Sequence, residues 1–463
     1  MSDNMAAEPA MLNIPESAMT ASVSALSATQ AQAVDRAIEA LWPKALDLLK
    51  KMVGTNSVNP LFPGIARASV IGGETKVAGM LGDFLAGSGL AVHSVAPDPD
   101  RVNRVAVLKG SGGGRSLLIN GHVDTVAAFK PESWSTGSPW NPEVKDGRLY
   151  GLGSTDMKGG LVSAALATAA LVATGVRLKG ELQIHAVVGE ETMSHEFGTS
   201  AVLDAGFVAE GGIVVEPTSQ PVPLTVSPVG AGNFNLHIEI QGYATHGGNR
   251  GPSIRAGGPG MAAGVNAVEK AVLVVQALQQ LEQEWGTSKV HPAFPAGFFS
   301  LCPSVLHGDA GVPSVGYLAD RATIGYLVWY PPGNSAEQIR AEIEAQVRCA
   351  TEMDPWLRQH PPVLRWDSNW PVSDTDPAHP LVRSLVAERT AVLGVMPGGA
   401  ADTAGFNACC DSAFIEQRGI PCVIFGPGDL RFAHSMNEFI NLSEVVDAAR
   451  ILARSAARWC GVA

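Results

Sequence analysis

The sequence predicts an α/β fold: a doubly wound, mostly parallel sheet forming a catalytic domain, with a smaller α+β domain inserted into it. Three observations carry this prediction. Short apolar strands alternate with helical segments from Ala91 to Ser219 and again after Pro380, the pattern of crossover connections in a parallel sheet. Between those stretches, over 226–367, the texture changes to half-exposed alternating strands and long amphipathic helices. The chain has 463 residues, 46% of them hydrophobic, which suits more than one domain and a large core.

The elements follow in order. Residues 1–28 start with acid and lack both a basic region and a continuous apolar stretch, so they read as a flexible tail rather than a secretory signal. From Thr29 to Met52, Val34, Ile38, Leu41, Ala45, Leu48 and Leu49 share one helical face, and "NSVNP" ends the helix with turn chemistry. A second helix covers Glu74–Ala86 and stops at "GSG". Strands are expected at Ala91–Val95, Arg104–Leu108 and Ser116–Asn120. The glycine run in "KGSGGGRS" joins the last two and precedes no helix, so it reads as a flexible connection rather than a phosphate loop. "GLVSAALATAALVATG" is a buried helix, too short to span a bilayer. "LQIHAVVGEE" and "GGIVVEPTS" are strands that end in acids. The catalytic domain therefore comprises 29–225 and 368–463. In the insertion, "FNLHIEIQGYATH" and "RATIGYLVWY" are strands, and "GVNAVEKAVLVVQALQQLEQEW" and "SAEQIRAEIEAQVRCA" are helices.

The totals exclude several classes. A formal net charge of -12, with no basic run interleaved with aromatics, argues against nucleic acid as a partner. The six cysteines form no CxxC pair and no disulfide framework, so reduced, mostly buried thiols in a cytoplasmic protein are expected, with no membrane association. No G-x-G-x-x-G follows the first strand and no G-x-S-x-G elbow occurs, which removes a dinucleotide-dependent dehydrogenase and a serine hydrolase.

Five clusters of acid or imidazole stand at strand ends or in the loops beyond them: His122 with Asp124, Asp156 in "YGLGSTDMKGG", Glu190-Glu191, Glu216, and His434 in "GPGDLRFAHSMNE". Each alone has a plain reading as a cap or turn residue. Parallel strands, however, deliver their carboxyl ends to one edge, where like carboxylates repel unless a positive charge sits among them. No Lys or Arg cluster is evident at these loops, so a bound metal is the expected counter-charge. Two histidines and three carboxylates suit zinc, with cobalt or manganese as substitutes. Two metals sharing one carboxylate, best Asp156, would use the whole set. Of Glu190 and Glu191, one would bind metal and the other would serve as general base.

With "GHVDTV", "YGLGSTDMKGG", "GEE", "EPTS" and "GPG…AHSMNE" in this order, the chain from about residue 30 onward resembles the dinuclear-zinc deacylases and exopeptidases. These include acetylornithine deacetylase, succinyl-diaminopimelate desuccinylase, aminoacylase and glutamate carboxypeptidase. The resemblance implies that His122, Asp156 and Glu216 hold one Zn2+ and that Asp156, Glu191 and His434 hold the other. Glu190 would be the base that activates a metal-bridged water and later protonates the leaving amine. Asp124 would orient His122 through its other ring nitrogen. The inserted domain would be a lid that also forms a homodimer. Within it, His246 of "GYATH" would stabilise the tetrahedral oxyanion, often from the partner subunit.

Departures from the family bear on substrate. Counting back from Pro332 puts Trp329 where many relatives carry a carboxylate-clamping Arg; an indole packs against apolar or aromatic groups instead. A Trp on a register-shifted strand is the competing reading. The segment after His246, "GGNRGPSIRAGGPGMAA", is longer than the family's usual link, and Arg250 or Arg255 in it could replace the lost guanidinium, unless it is a surface insertion. Asp411 stands where relatives carry Thr-Asp and would support the site from behind. The expectation is a metal-dependent amidohydrolase acting on a small molecule: an N-acyl amino acid, a dipeptide-like bond, or an aryl or alkyl amide. The alternative is a non-catalytic small-molecule or peptide sensor on the same fold.

Overall fold

The computed structural model describes residues 25–255, 260–312, 314–396 and 401–463. They fall into two compact units, the chain up to Gly230 together with Ser373–Ala463, and Ala231–Val372.

Among the described residues the first unit is built on a nine-stranded, centrally parallel sheet. Four parallel strands form its middle, in the spatial order Leu182–Val187, Leu117–His122, Gly212–Val214 and Cys422–Ile424. Arg101–Leu108 and Ala91–Asp98 extend it antiparallel on one side. Val226–Gly230 and Ser373–Asp374 extend it antiparallel on the other, and Thr403–Phe406 joins Val226–Gly230 in parallel. Both faces are covered, as the doubly wound pattern requires. Along Arg101–Leu108, Ala106 belongs to the main core while Val105 and Val107 pack with Val187 and Val202 in a second cluster, the alternation of a strand buried on both sides. Helices Ala28–Val53, Gly159–Ala173 and Leu442–Cys460 pack together around the main core. Thr199–Asp204, which carries Val202, packs with Ser412–Glu416.

Two sequence expectations shift. The first helix starts at Ala28, because Ser27 and Gln30 form a capping box: Gln30 N–H donates to Ser27 Oγ at 3.3 Å and Ser27 N–H to Gln30 Oε1 at 2.9 Å. The tail therefore ends before Ser27, and its first 24 residues lie outside the described residues. Of the six thiols, none is in a disulfide, but only Cys410, Cys422 and Cys460 are buried; Cys302 and Cys349 are exposed.

The apolar segment Ser154–Ala173 is long and apolar enough to cross a membrane by composition, yet it is mostly buried inside the fold. Helix Gly159–Ala173 is apolar all round because protein surrounds it. It enters the core at Gly160, where an added Cβ would lie 1.9 Å from the Val215 carbonyl oxygen. Gly160→Ala is expected to destabilise the protein by about 3 kcal/mol, since backbone must move to admit the methyl. The midpoint of urea unfolding checks this.

The second unit is a four-stranded antiparallel sheet in the order Leu301–Asp309, Arg321–Tyr330, Gly232–Gln241, Val363–Trp370. Phe234, Leu236, Ile238 and Ile240 point to one face and bury Ala271, Val274 and Leu278 of helix Ala267–Ser288 and Ile339, Ile343 and Val347 of helix Ala336–Met353. Two of these strands escaped the sequence pattern. Leu301–Asp309 is a mostly exposed edge strand containing Pro303, and such a strand shows no period-two burial. The unit boundaries accordingly stand at 231 and 372 rather than 226 and 367. Val226–Gly230 pairs within the first unit's sheet, and Val363–Trp370 pairs with Gly232–Gln241.

Candidate active site

The parallel strands set the site. Leu117–His122 ends on His122. Glu190 and Glu191 follow Leu182–Val187, and Glu216 follows Gly212–Val214. These strands run in the same direction, so their carboxyl ends share one edge of the sheet. Asp156 arrives in the tight turn Ser154–Lys158 that leads into the buried helix, where its φ of -119° and ψ of 96° break the helical run. His434 comes from the loop after Leu430–Phe432.

The side chains of these six residues meet. Ligand-type atoms of His122, Asp156 and Glu216 lie within 4.8 Å of one another, as do those of Asp156, Glu191 and His434. Asp156 is common to both sets and faces each with a different oxygen: Oδ1 is 3.0 Å from His122 Nε2 and Oδ2 is 3.2 Å from His434 Nε2. His434 Nε2 is also 3.1 Å from Glu191 Oε2. Glu190 stands beside both sets without belonging to either, its Oε2 3.8 Å from His122 Nε2.

The electrostatics explain what such a cluster needs. Burial pushes the Glu190 carboxyl well above the usual carboxylate range, and Glu216, Glu191 and Asp411 push it further against the pull of His122. Burial does the same to Glu216, with Asp156 adding to it. Burial alone would lower the His434 imidazole, but Glu191 and Asp156 lift it to about 12. His122 is likewise raised against its burial by Glu190, Asp156 and Glu216. The centre thus seeks positive charge wherever it can find it. Two imidazole nitrogens and the oxygens of three carboxylates, in two triads with one shared member, fit a pair of borderline divalent ions.

Asp124 faces the other ring nitrogen of His122 mainly through its backbone. His122 Nδ1 lies 3.1 Å from the Asp124 backbone carbonyl and 3.6 Å from its carboxylate, so the backbone fixes the imidazole. The carboxylate instead accepts from Gly189 N–H at 3.0 Å, Glu191 N–H at 3.1 Å and Asn59 Nδ2 at 2.8 Å. It pins the turn that carries Glu190 and Glu191. Asn59, from "NSVNP", had no sequence signal beyond turn chemistry. Asn59→Ala is expected to lower kcat/KM about tenfold by freeing that carboxylate, which steady-state kinetics would measure.

No Lys or Arg cluster stands at these loops, but single buried cations lie close to them. Lys158 is wholly buried two residues beyond Asp156, with Glu438, Asp124 and Glu191 as its charged neighbours, and burial lowers it to about 8. Arg101, equally buried, donates to both oxygens of Glu74 at 2.7 Å and also feels Asp124. Lys158 stands within "YGLGSTDMKGG" itself, whereas Arg101 opens a strand outside the five clusters. Asp411 lies close behind: its Oδ2 accepts from Thr199 Oγ1 at 2.6 Å, and burial raises it to about 6.

The remaining sequence candidates belong to the second unit. His246 Nδ1 accepts from Gly248 N–H at 3.1 Å and caps a short turn. Arg250 donates to Glu269 Oε1 at 2.5 Å. Arg255 is exposed. Trp329 pairs opposite Asn233, half-buried between the buried Val328 and Tyr330, with its ring 5.9 Å from Phe298. It therefore points away from the helix-covered face rather than into the core.

A centre of this kind, on the carboxyl edge of a parallel sheet with a free glutamate at hand, defines a metal-dependent amidohydrolase. The sequence profile described as peptidase family M20/M25/M40 matches residues 118–458, and the chain belongs to this family. It is 31% identical over 399 residues to N-formyl-4-amino-5-aminomethyl-2-methylpyrimidine deformylase of Bacillus subtilis, covering 84% of this chain and 89% of the relative. It is 27% identical over 400 residues to a probable succinyl-diaminopimelate desuccinylase of Staphylococcus epidermidis, covering 79% and 88%. Its fold is similar to that of a Bacillus subtilis protein described as a dinuclear metal binding peptidase from the M20 family, with a TM-score of 0.60 at 14% identity, covering 90% and 98%. The chain is a metal-dependent hydrolase of C–N amide bonds in small molecules. The sensor reading is not retained.

Proposed function

We propose that the protein is a deacylase removing a small acyl group, formyl first among the candidates, from the aminomethyl nitrogen of an aromatic or heteroaromatic amine. The observation that carries this reading is the relationship to the deformylase, at 31% identity over most of both chains. Trp329 in place of a carboxylate-clamping guanidinium supports it, since an indole suits a ring better than an amino-acid carboxylate.

In this reading His122, Asp156 and Glu216 hold one zinc ion and Asp156, Glu191 and His434 a second. When bound, the ions polarise the amide carbonyl and make water nucleophilic near neutral pH. Glu190 takes the proton of the attacking water and returns it to the leaving nitrogen. Asp124 holds the Glu190 turn in register, and His246 donates to the developing oxyanion. Arg250 and Arg255 remain candidates for substrate contact. The unit Ala231–Val372 serves as the lid and as the homodimer contact, supported by its exposed edge strand Leu301–Asp309, where Val305 and Leu306 face outward. The absence of any disulfide among the six thiols supports a cytoplasmic location.

A hydrolysis screen tests the substrate. Formyl and acetyl amides of aminomethylpyrimidines and benzylamines are compared with N-acetyl amino acids and dipeptides, each with and without chelator. Chelator-sensitive preference for the first group is expected; preference for N-acetyl amino acids overturns the reading. Trp329→Arg is expected to raise kcat/KM on N-acetyl amino acids and lower it on the aryl amides by about tenfold, the scale of a lost apolar contact.

A further inference from the structure

Glu438 is a wholly buried carboxylate that none of the roles above uses, 1% exposed and four residues after His434. Both of its oxygens accept from one turn. Oε1 accepts from Thr155 N–H at 2.8 Å and from Asp156 N–H at 3.2 Å, and Oε2 accepts from Gly153 N–H at 3.1 Å. That turn carries Asp156. The Glu438 backbone carbonyl accepts from Gly151 N–H at 2.9 Å, and Thr155 Oγ1 donates to the Phe439 carbonyl at 2.5 Å. Beyond it, Phe439 and Ile440 pair with Tyr150 and Leu149. The loop bearing His434 and the turn bearing Asp156 are therefore stapled together, with the Glu438 side chain as the contact that reaches Asp156 itself. Lys158 is buried nearby, with Glu438 among its charged neighbours.

We infer that Glu438 is a positioning residue that aims the Asp156 carboxylate at both triads at once. Asp156 has to present Oδ1 toward His122 and Oδ2 toward His434, and a small rotation of its turn would serve one side at the expense of the other. Three N–H groups held by one rigid acceptor fix that rotation, and one of the three is Asp156's own. A carboxylate that merely stabilised the fold would have no reason to join these two ligand-bearing loops. The inference rests on the two-triad centre proposed above.

Metal-free full-length protein titrated with Zn2+ against a chromophoric competitor tests it. Wild type is expected to take up two equivalents. Glu438→Gln keeps the shape but turns an NH2 toward Gly153 N–H, and is expected to weaken Zn2+ binding about 10- to 100-fold, the usual effect of losing a group that orients a ligand. Glu438→Ala should weaken it further; if that variant does not fold, the isosteric Gln variant decides. Leu452→Ala, a core truncation in the last helix, should lower the melting temperature and leave Zn2+ affinity unchanged. Two equivalents bound by Glu438→Gln with wild-type affinity overturn the inference, as does an equal loss in Leu452→Ala. Failure of the wild type itself to bind two equivalents overturns the metal centre, and this inference with it.

Discussion

Glu190→Gln is expected to lower kcat on the substrate found by the screen by about 10⁴-fold, the upper range of a positioned acid–base group, while both metal equivalents stay bound. The glutamine keeps the size of the side chain and removes its ability to take a proton. Glu190 lies outside both ligand triads, so its loss leaves the donor atoms of His122, Asp156, Glu191, Glu216 and His434 in place. Metal analysis and turnover measured on the same preparation separate the two effects. A variant that lost metal together with activity would make Glu190 a ligand and would leave the reaction without its base. Glu191→Gln should show the opposite balance, because its Oε2 faces His434 Nε2 at 3.1 Å.

Removal of metal is expected to abolish turnover and to lower the melting temperature by about 10 °C, from a stabilisation of about 4 kcal/mol by a ligand present at a thousand times its dissociation constant. The physical source is the crowding at the strand ends. Glu190, Glu191, Glu216 and Asp156 are brought together from separate strands and turns, with Lys158 as a buried cation near Glu191. Without divalent cations their repulsion is offset by that ammonium and by protons on the imidazoles. Differential scanning calorimetry before and after dialysis against a chelator, then after adding Zn2+ back, measures the loss and its recovery. An unchanged melting temperature would mean that the centre is organised without metal.

Local pattern made the fold class legible. Alternation of apolar strands and helices points to a parallel sheet, because each strand buried on both faces reads as a continuous apolar run. The second unit was partly legible: Gly232–Gln241 and Arg321–Tyr330 alternate, whereas Leu301–Asp309 lies on an exposed edge and leaves no periodic trace. His122, Asp156, Glu190, Glu191, Glu216 and His434 could be picked out because strand ends and tight turns concentrate their chemistry. Asn59, Lys158, Arg101 and Glu438 could not, since a buried polar residue looks in sequence like any surface one.

By itself the sequence determined which residue types arrive at the edge of the sheet and in what order along the chain. Only the tertiary structure decided which oxygen of Asp156 faces which imidazole, that the Asp124 carboxylate accepts from the turn carrying Glu190 and Glu191, and that Glu438 closes on a turn 282 residues earlier. The reason is physical. Periodicity and turn chemistry act between neighbours in the chain, whereas the direction of a buried carboxylate is set by whichever donors the packed core leaves within reach.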